Sequence, residues 1–284
     1  MKINILVDNR SSHPEYKAEH GFALYIETRQ HKVLYDTGQS FETLSHNALM
    51  MNVDLEDIDF IILSHAHYDH TGGLPGLLEI NKKARVIMSK ELPGHQYYSM
   101  RGNEKKDIGY PQILDTYSER FLFINKETNA SGEYYLGDIV IFSPEGTKYL
   151  PPKGNKILFN DQDCTRQDTF GHELAIALIE SERMAILSGC SHRGILNILA
   201  MSKTLLPHKS IAAVVGGFHL IDPNEHVEIE SEDEINTIAE ELAHLAPKAH
   251  FYPGHCTGAK ALKLLQHSLR SRCTPLYAGK VIIE

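Results

Sequence analysis

The chain has 284 residues, with 42% hydrophobic and 23% charged side chains, which excludes a disordered or fibrous protein and leaves room for a sizeable core. A formal net charge of -9 argues against non-specific nucleic-acid binding or adhesion to an anionic membrane, and no apolar run reaches the roughly twenty residues of a membrane span. The four cysteines, Cys164, Cys190, Cys256 and Cys273, are widely spaced and form no CxxC pair, so a reducing, cytoplasmic setting is the expectation.

The stretch from Met1 to Asp8 is too short for a signal h-region and reads as a first strand. Further strands at Phe22 to Glu27 and Lys32 to Tyr35 complete a meander, the last running into Asp36-Thr37-Gly38. Asp36 has the acceptor chemistry to orient a metal-binding imidazole from behind; the plainer alternative is an Asp opening the turn before Gly38. Phe41 to Met51 predicts a helix, and Leu55 to Asp59 leads into the apolar run Phe60 to Leu63, a strand covered on both faces. This strand empties into Ser64-His65-Ala66-His67-Tyr68-Asp69-His70-Thr71-Gly72-Gly73. His65 and His67 share a face while the chain is extended, and Asp69 and His70 follow where it turns, so the loop reads as half of a two-metal site. A surface loop that collects histidines by chance is the bland alternative, and four ligand-type side chains within six residues outweigh it.

A helical piece, Leu74 to Ile80, and a strand, Arg85 to Ser89, come next. From about residue 90 to 168 the regular alternation fades, with β-like pieces at Phe121 to Ile124 and Ile139 to Phe142. This reads as an insertion or lid on a single domain spanning 1–284. Arg101, Lys105, Lys106, Lys153 and Lys156 are its candidate anion-binders, although each taken singly is more simply a solvated charge.

The second half repeats one arrangement. Leu174 to Ile179 pairs with Met184 to Ser188, which empties into Gly189-Cys190-Ser191-His192-Arg193-Gly194 and a helix. Ile211 to Val215 ends in Gly216-Gly217-Phe218-His219, and Ser231 with Glu234 forms a capping box for a helix to about Leu245. His250 to Tyr252 ends in Pro253-Gly254-His255-Cys256-Thr257-Gly258, followed by a last helix. Because strand exits in an α/β sheet form one rim, these histidines are expected to converge although they are distant in sequence.

The His-x-His-x-Asp-His run resembles the signature of the metallo-β-lactamase superfamily. Together with Asp36-Thr37-Gly38-Gln39-Ser40, Gly216-Gly217-Phe218-His219-Leu220 and the Cys190 and His255 loops, it is similar to the dihydropteroate-synthase-like branch of that superfamily. The resemblance covers both ends of the chain and is weakest across 90–168. It implies an α/β (α+β) chain folded as a four-layer αββα sandwich, with a divalent-metal site on the sandwich edge. It departs at Cys190, where the superfamily commonly carries an aspartate that bridges two metals; here a thiolate is a weaker candidate bridge, or a buried small residue. The expected ligand sets are His65, His67 and His192 for one metal and Asp69, His70 and His255 for the other. His219 is expected to face substrate as an acid or hydrogen-bond donor, with Asp69 the other catalytic candidate. Arg193 and the helix amino terminus after Gly258 are the candidates for holding an anion.

The function so implied is a metal-dependent hydrolase. Two divalent ions, zinc first with iron or manganese as alternatives, would hold a hydroxide that attacks a phosphorylated or ester-type small molecule. The alternatives are a pterin–arylamine condensing transferase whose metals bind diphosphate, a di-iron redox protein, and a non-catalytic metal-dependent binding protein. The expected partner is a small anionic substrate, with neither nucleic acid nor membrane.

Overall fold

The architecture follows from strands that bury both faces. In Arg183–Ser188, Ala185 and Leu187 point to one apolar layer while Met184 and Ile186 point to another, and Ile139 and Ile141 alternate in the same way with Val140 and Phe142. With a side-chain period of two, that double burial is what makes these segments continuously apolar. A computed structural model describes residues 2–113, 116–124, 133–146, 148–223 and 226–283.

Seven strands form the first sheet, in the order Val281–Ile283, Lys2–Val7, Ala23–Glu27, Lys32–Tyr35, Phe60–Ile62, Arg85–Ser89 and Phe121–Ile124. Six form the second: His250–Gly254, Ser210–Gly217, Arg183–Ser188, Ala175–Glu180, Ile139–Phe142 and Glu133–Leu136. The inner faces of the two sheets meet in a layer that includes Ile3, Tyr35, Ile62, Ile176, Leu187 and Val215. Helices Phe41–Met50 and Leu74–Ile80 cover the outer face of the first sheet. Ile195–Leu205, Glu232–Leu245 and Ala259–Leu269 cover that of the second. The result is the expected four-layer αββα sandwich. The Ser231–Glu234 capping box is present, each side chain taking the other's backbone N–H.

Strand direction explains why distant histidines share one edge. Phe60–Ile62 runs parallel to Lys32–Tyr35 and Arg85–Ser89. Arg183–Ser188, Ser210–Gly217 and His250–Gly254 run parallel to one another. Their carboxyl ends therefore line one rim of the sandwich. The stretch expected to be irregular contributes more to the scaffold than its sequence suggests. Phe121–Ile124 and Ile139–Phe142 belong to the two main sheets, while Tyr98–Arg101, Glu104–Asp107 and Leu158–Phe159 form a separate three-stranded sheet. Positions 114–115, 125–132 and 147 of that stretch lie outside the described residues. Among the described residues no helix is long and apolar enough to cross a membrane.

Candidate metal centre

The histidine loop is held by close backbone approach to the neighbouring strand exit. A Cβ on Gly72 would fall 2.1 Å from the Gln39 carbonyl oxygen, and one on Gly73 would fall 2.3 Å from that of Thr37, so only glycines allow this contact. His67 N-caps the short helix Tyr68–Thr71, which turns Asp69 and His70 back beneath His65. Asp36, Ser191, His219 and His255 all adopt left-handed backbone, at φ 62°, 60°, 49° and 47°. Four such non-glycine residues on one rim store strain of about 1–3 kcal/mol each, a mark of functional sites.

Hydrogen bonds to the backs of the rings decide which nitrogen is free. His70 Nδ1 lies 2.7 Å from Asp36 Oδ2, His192 Nδ1 2.9 Å from Asn155 Oδ1 and His255 Nδ1 3.0 Å from Asn9 Oδ1. Asn155 is oriented by its own Nδ2, which donates to the His192 carbonyl at 2.7 Å, and Asn9 Oδ1 also accepts from Gly21 N. His65 Nδ1 faces Ser64 Oγ at 2.8 Å, and that hydroxyl donates to Asp36 Oδ2 at 2.7 Å, so it can only accept from the ring. Each of these four imidazoles therefore donates from Nδ1 and turns Nε2 to the centre of the rim, the atom a metal would take. Asp36 stands behind His70 and, through Ser64, behind His65.

These ring nitrogens crowd together. His70 Nε2 and His255 Nε2 are 3.1 Å apart, and His65 Nε2 lies 3.1 Å from His67 Nδ1. Two nitrogens bound to one zinc at 2.0–2.1 Å in tetrahedral geometry would be separated by roughly 3.3 Å. His67 Nε2 and His192 Nε2 are buried and have no hydrogen-bond partner among the described residues. Burial and neighbouring imidazoles hold His65 and His192 well below the ordinary histidine range, and burial lowers His67 to about 3. These three are neutral bases that protons cannot satisfy, which suits them to a metal cation.

Asp69 completes the second group, with Oδ2 3.2 Å from His255 Nε2 and 3.6 Å from His70 Nε2. Burial opposes its ionisation, but His70, His255 and His20 outweigh burial and keep it below the usual carboxylate range. Burial likewise opposes protonation of His255, and Asp69 overrides it to lift that ring to about 9, so without a metal a proton fills the gap between His70 and His255. Cys190 lies between the groups, with Sγ 3.2 Å from His70 Nε2 and close to the ligand atoms of His65 and His192. The residues present fit a divalent-metal centre.

Several residues of the site are not among those its motifs single out. Glu173 is fully buried and accepts the backbone N–H of His192 and of Arg193, both at 2.8 Å, which fixes the His192 turn. Asp8 does the same for His255 N at 2.8 Å; an acid at the exit of the first strand repeats the Asp36 pattern and was a usable clue. His20 lies 3.3 Å from Asp69 Oδ2, and Cys256 adds a second thiol near Cys190.

A cavity of about 690 Å³ opens over this floor, with His67, Asp69, Cys190, His192, His219 and His255 reaching it. Arg10, Arg101 and Lys106 stand on its walls, the last two from the small three-stranded sheet. Two expectations for anion binding are corrected. Arg193 turns away, its guanidinium donating to the Thr169 carbonyl at 2.8 Å, and it does not reach the cavity. The helix terminus after Gly258 is already filled, because Asp222 accepts Ala259 N and Lys260 N at 3.0 and 3.2 Å. Of the other lysines singled out, Lys153 and Lys156 pair with Glu234 and Glu228, and Lys105 reaches the Gln162 carbonyl. His219 packs against His192 with ring centroids 4.2 Å apart and the ring planes tilted by 55°.

Comparison with known proteins agrees with this geometry. A family model described as the metallo-β-lactamase superfamily matches residues 16–168, which include the His65 to His70 loop. A Methanocaldococcus jannaschii protein named 7,8-dihydropterin-6-methyl-4-(β-D-ribofuranosyl)-aminobenzene-5′-phosphate synthase is 28% identical, covering 99% of this chain and 96% of its own. An uncharacterised protein of the same organism is 31% identical over 93% of each chain. A crystal structure described as Tm1679, a metal-dependent hydrolase of the β-lactamase superfamily, superposes with a TM-score of 0.78 at 29% identity over 100% of this chain and 99% of that one. By family match, by relatives of full length and by its αββα fold, the chain belongs to the metallo-β-lactamase superfamily.

Proposed function

We propose that the chain is a metal-dependent hydrolase of a phosphorylated or ester-type small anion. The observation that carries this reading is the set of bare, buried imidazole nitrogens beneath a cavity walled by Arg10, Arg101 and Lys106. His65, His67 and His192 would hold one divalent ion and Asp69, His70 and His255 the other, with Cys190 between them. The ions supply Lewis acidity at the scissile group and lower the pKa of a bound water to roughly 7. Asp69, already ionised, can accept a hydrogen bond from a water over the floor and so orient it. Arg101 and Lys106 hold the substrate's anion against the rim, where charge-assisted hydrogen bonds suit phosphate oxygens. Zinc suits the nitrogen-rich donor set best, and iron is the alternative.

A second reading, pterin–arylamine condensation, is favoured by the full-length similarity to the Methanocaldococcus synthase. In that case the rim would hold a diphosphate leaving group, and the cavity would admit both ring systems. Metal-loaded protein is to be incubated with a panel of phosphate mono- and diesters, and separately with a pterin diphosphate plus an arylamine ribosyl phosphate. Hydrolysis within the ester panel alone, read as the alcohol released, is expected under the hydrolase reading; coupled product alone would replace it with the second, and turnover of neither class would overturn both.

A further inference from the structure

Cys190, His219 and Cys256 form a cluster that the two ligand sets leave unused, apart from the bridging position considered for Cys190. Each offers one ligand atom, and these atoms lie within 4.8 Å of one another. His219 is 9% exposed, and neither of its ring nitrogens has a hydrogen-bond partner among the described residues. A buried imidazole with two unsatisfied nitrogens is costly, and its left-handed backbone adds strain, so the ring is held here for a ligand that satisfies it. Cys256 Sγ is positioned by the His219 backbone N–H at 3.3 Å and by a gap at Gly217, where a Cβ would fall 2.4 Å from the sulfur. All three side chains line the cavity.

We infer that Cys190 Sγ, a His219 ring nitrogen and Cys256 Sγ form a third, sulfur-rich metal position that shares Cys190 with the histidine centre. Donor atoms at about 2.0–2.3 Å from one zinc are separated by well under 4.8 Å, so the cluster closes on a cation with small side-chain movement. Two sulfurs and one imidazole select a borderline-soft divalent ion such as zinc, cobalt or ferrous iron over magnesium or calcium. Three protein ligands leave the fourth position open toward the cavity, where a substrate anion can bind it. His219 then acts as a ligand and not as the proton donor expected of it.

This inference rests on the metal reading of the rim, and cobalt separates the two. Full-length protein is stripped of metal and titrated with Co²⁺, following bound cobalt by elemental analysis and the sulfur-to-cobalt charge-transfer absorption in the near ultraviolet. Cys256→Ser and His219→Gln are each expected to bind about one equivalent fewer than the unaltered chain, with Cys256→Ser also weakening the charge-transfer band and both retaining the d–d spectrum of the histidine-bound ions. Circular dichroism shows whether each variant is folded, and the two variants, altered at different elements, check one another. If both folded variants bind as much cobalt as the unaltered chain, with an unchanged charge-transfer band, the third position is overturned while the histidine centre stands. If His67→Ala leaves bound cobalt unchanged, the histidine centre fails instead.

Discussion

Asp36→Asn tests the hydrogen-bond logic of the rim with almost no change in shape. Ser64 N, Ser64 Oγ and His70 Nδ1 each lie 2.7 Å from the carboxylate, and all three are donors. An asparagine can keep one oxygen for Ser64 N, but its NH₂ then faces the other two. His70 escapes that donor–donor contact only by moving its proton to Nε2, the atom needed bare at the centre. Ser64 Oγ, now accepting from the amide, would donate to His65 Nδ1 and push that ring into the wrong tautomer as well. One hydrogen bond to a charged group is worth about 1.5–3 kcal/mol, which corresponds to a loss of roughly 10- to 100-fold in metal affinity. Competition with a chromophoric chelator measures this, alongside a circular dichroism spectrum to show that the variant is folded. Metal affinity within about twofold of the unaltered chain would refute the claim that Asp36 sets the tautomers.

Other outcomes follow from the same geometry. Glu173→Ala leaves the buried N–H groups of His192 and Arg193 without acceptors, which at about 1–3 kcal/mol each lowers stability by roughly 2–6 kcal/mol in urea unfolding; a change below about 1 kcal/mol would contradict it. Lys106→Met removes a cavity-wall charge that leans on Tyr68 OH at 2.8 Å but keeps the aliphatic stem, so KM for a phosphate ester is expected to rise about tenfold while stability moves by less than about 0.5 kcal/mol. An unchanged KM would take Lys106 out of substrate binding. Glu234, hydrogen-bonded to Lys153 and to Ser231 N, is drawn down from 4.5 to about 2. Its contribution to stability is therefore full above its ordinary value and is lost as pH falls through about 2. Carboxyl NMR should give that midpoint and show it rising in Lys153→Met; a midpoint near 4.5 in the unaltered chain would count against the ion pair.

What the sequence made legible was the part written in local periodicity. Phe60–Ile62, Arg183–Ser188 and Ser210–Gly217 are apolar on both faces, so their runs stand out and their exits point to His65, His192 and His219. The pattern could not show which polar residues come from elsewhere in the chain to support those histidines. Asn9 meets His255 across 246 positions and Asn155 meets His192 across 37, and an isolated Asn has no period to announce it. Glu173 sits next to a strand as an ordinary acidic residue until folding buries it. The 90–168 stretch was obscure for a related reason. Its strand Glu104–Asp107 is exposed at every position, so no apolar alternation marks it, and Phe121–Ile124 is an edge strand with a partly exposed face. Arg193 was misjudged because its loop position is right while its side chain has a closer carbonyl to satisfy at Thr169.

The most direct test of the account is anomalous diffraction from crystals of zinc-loaded protein, collected on both sides of the zinc absorption edge. Peaks are expected between His70 Nε2 and His255 Nε2 beside Asp69, and among His65, His67 and His192, with Cys190 Sγ in reach of both. Zinc bound only at surface carboxylates, with the rim imidazoles left bare in zinc-loaded crystals, would contradict the metal centre and the hydrolase built on it.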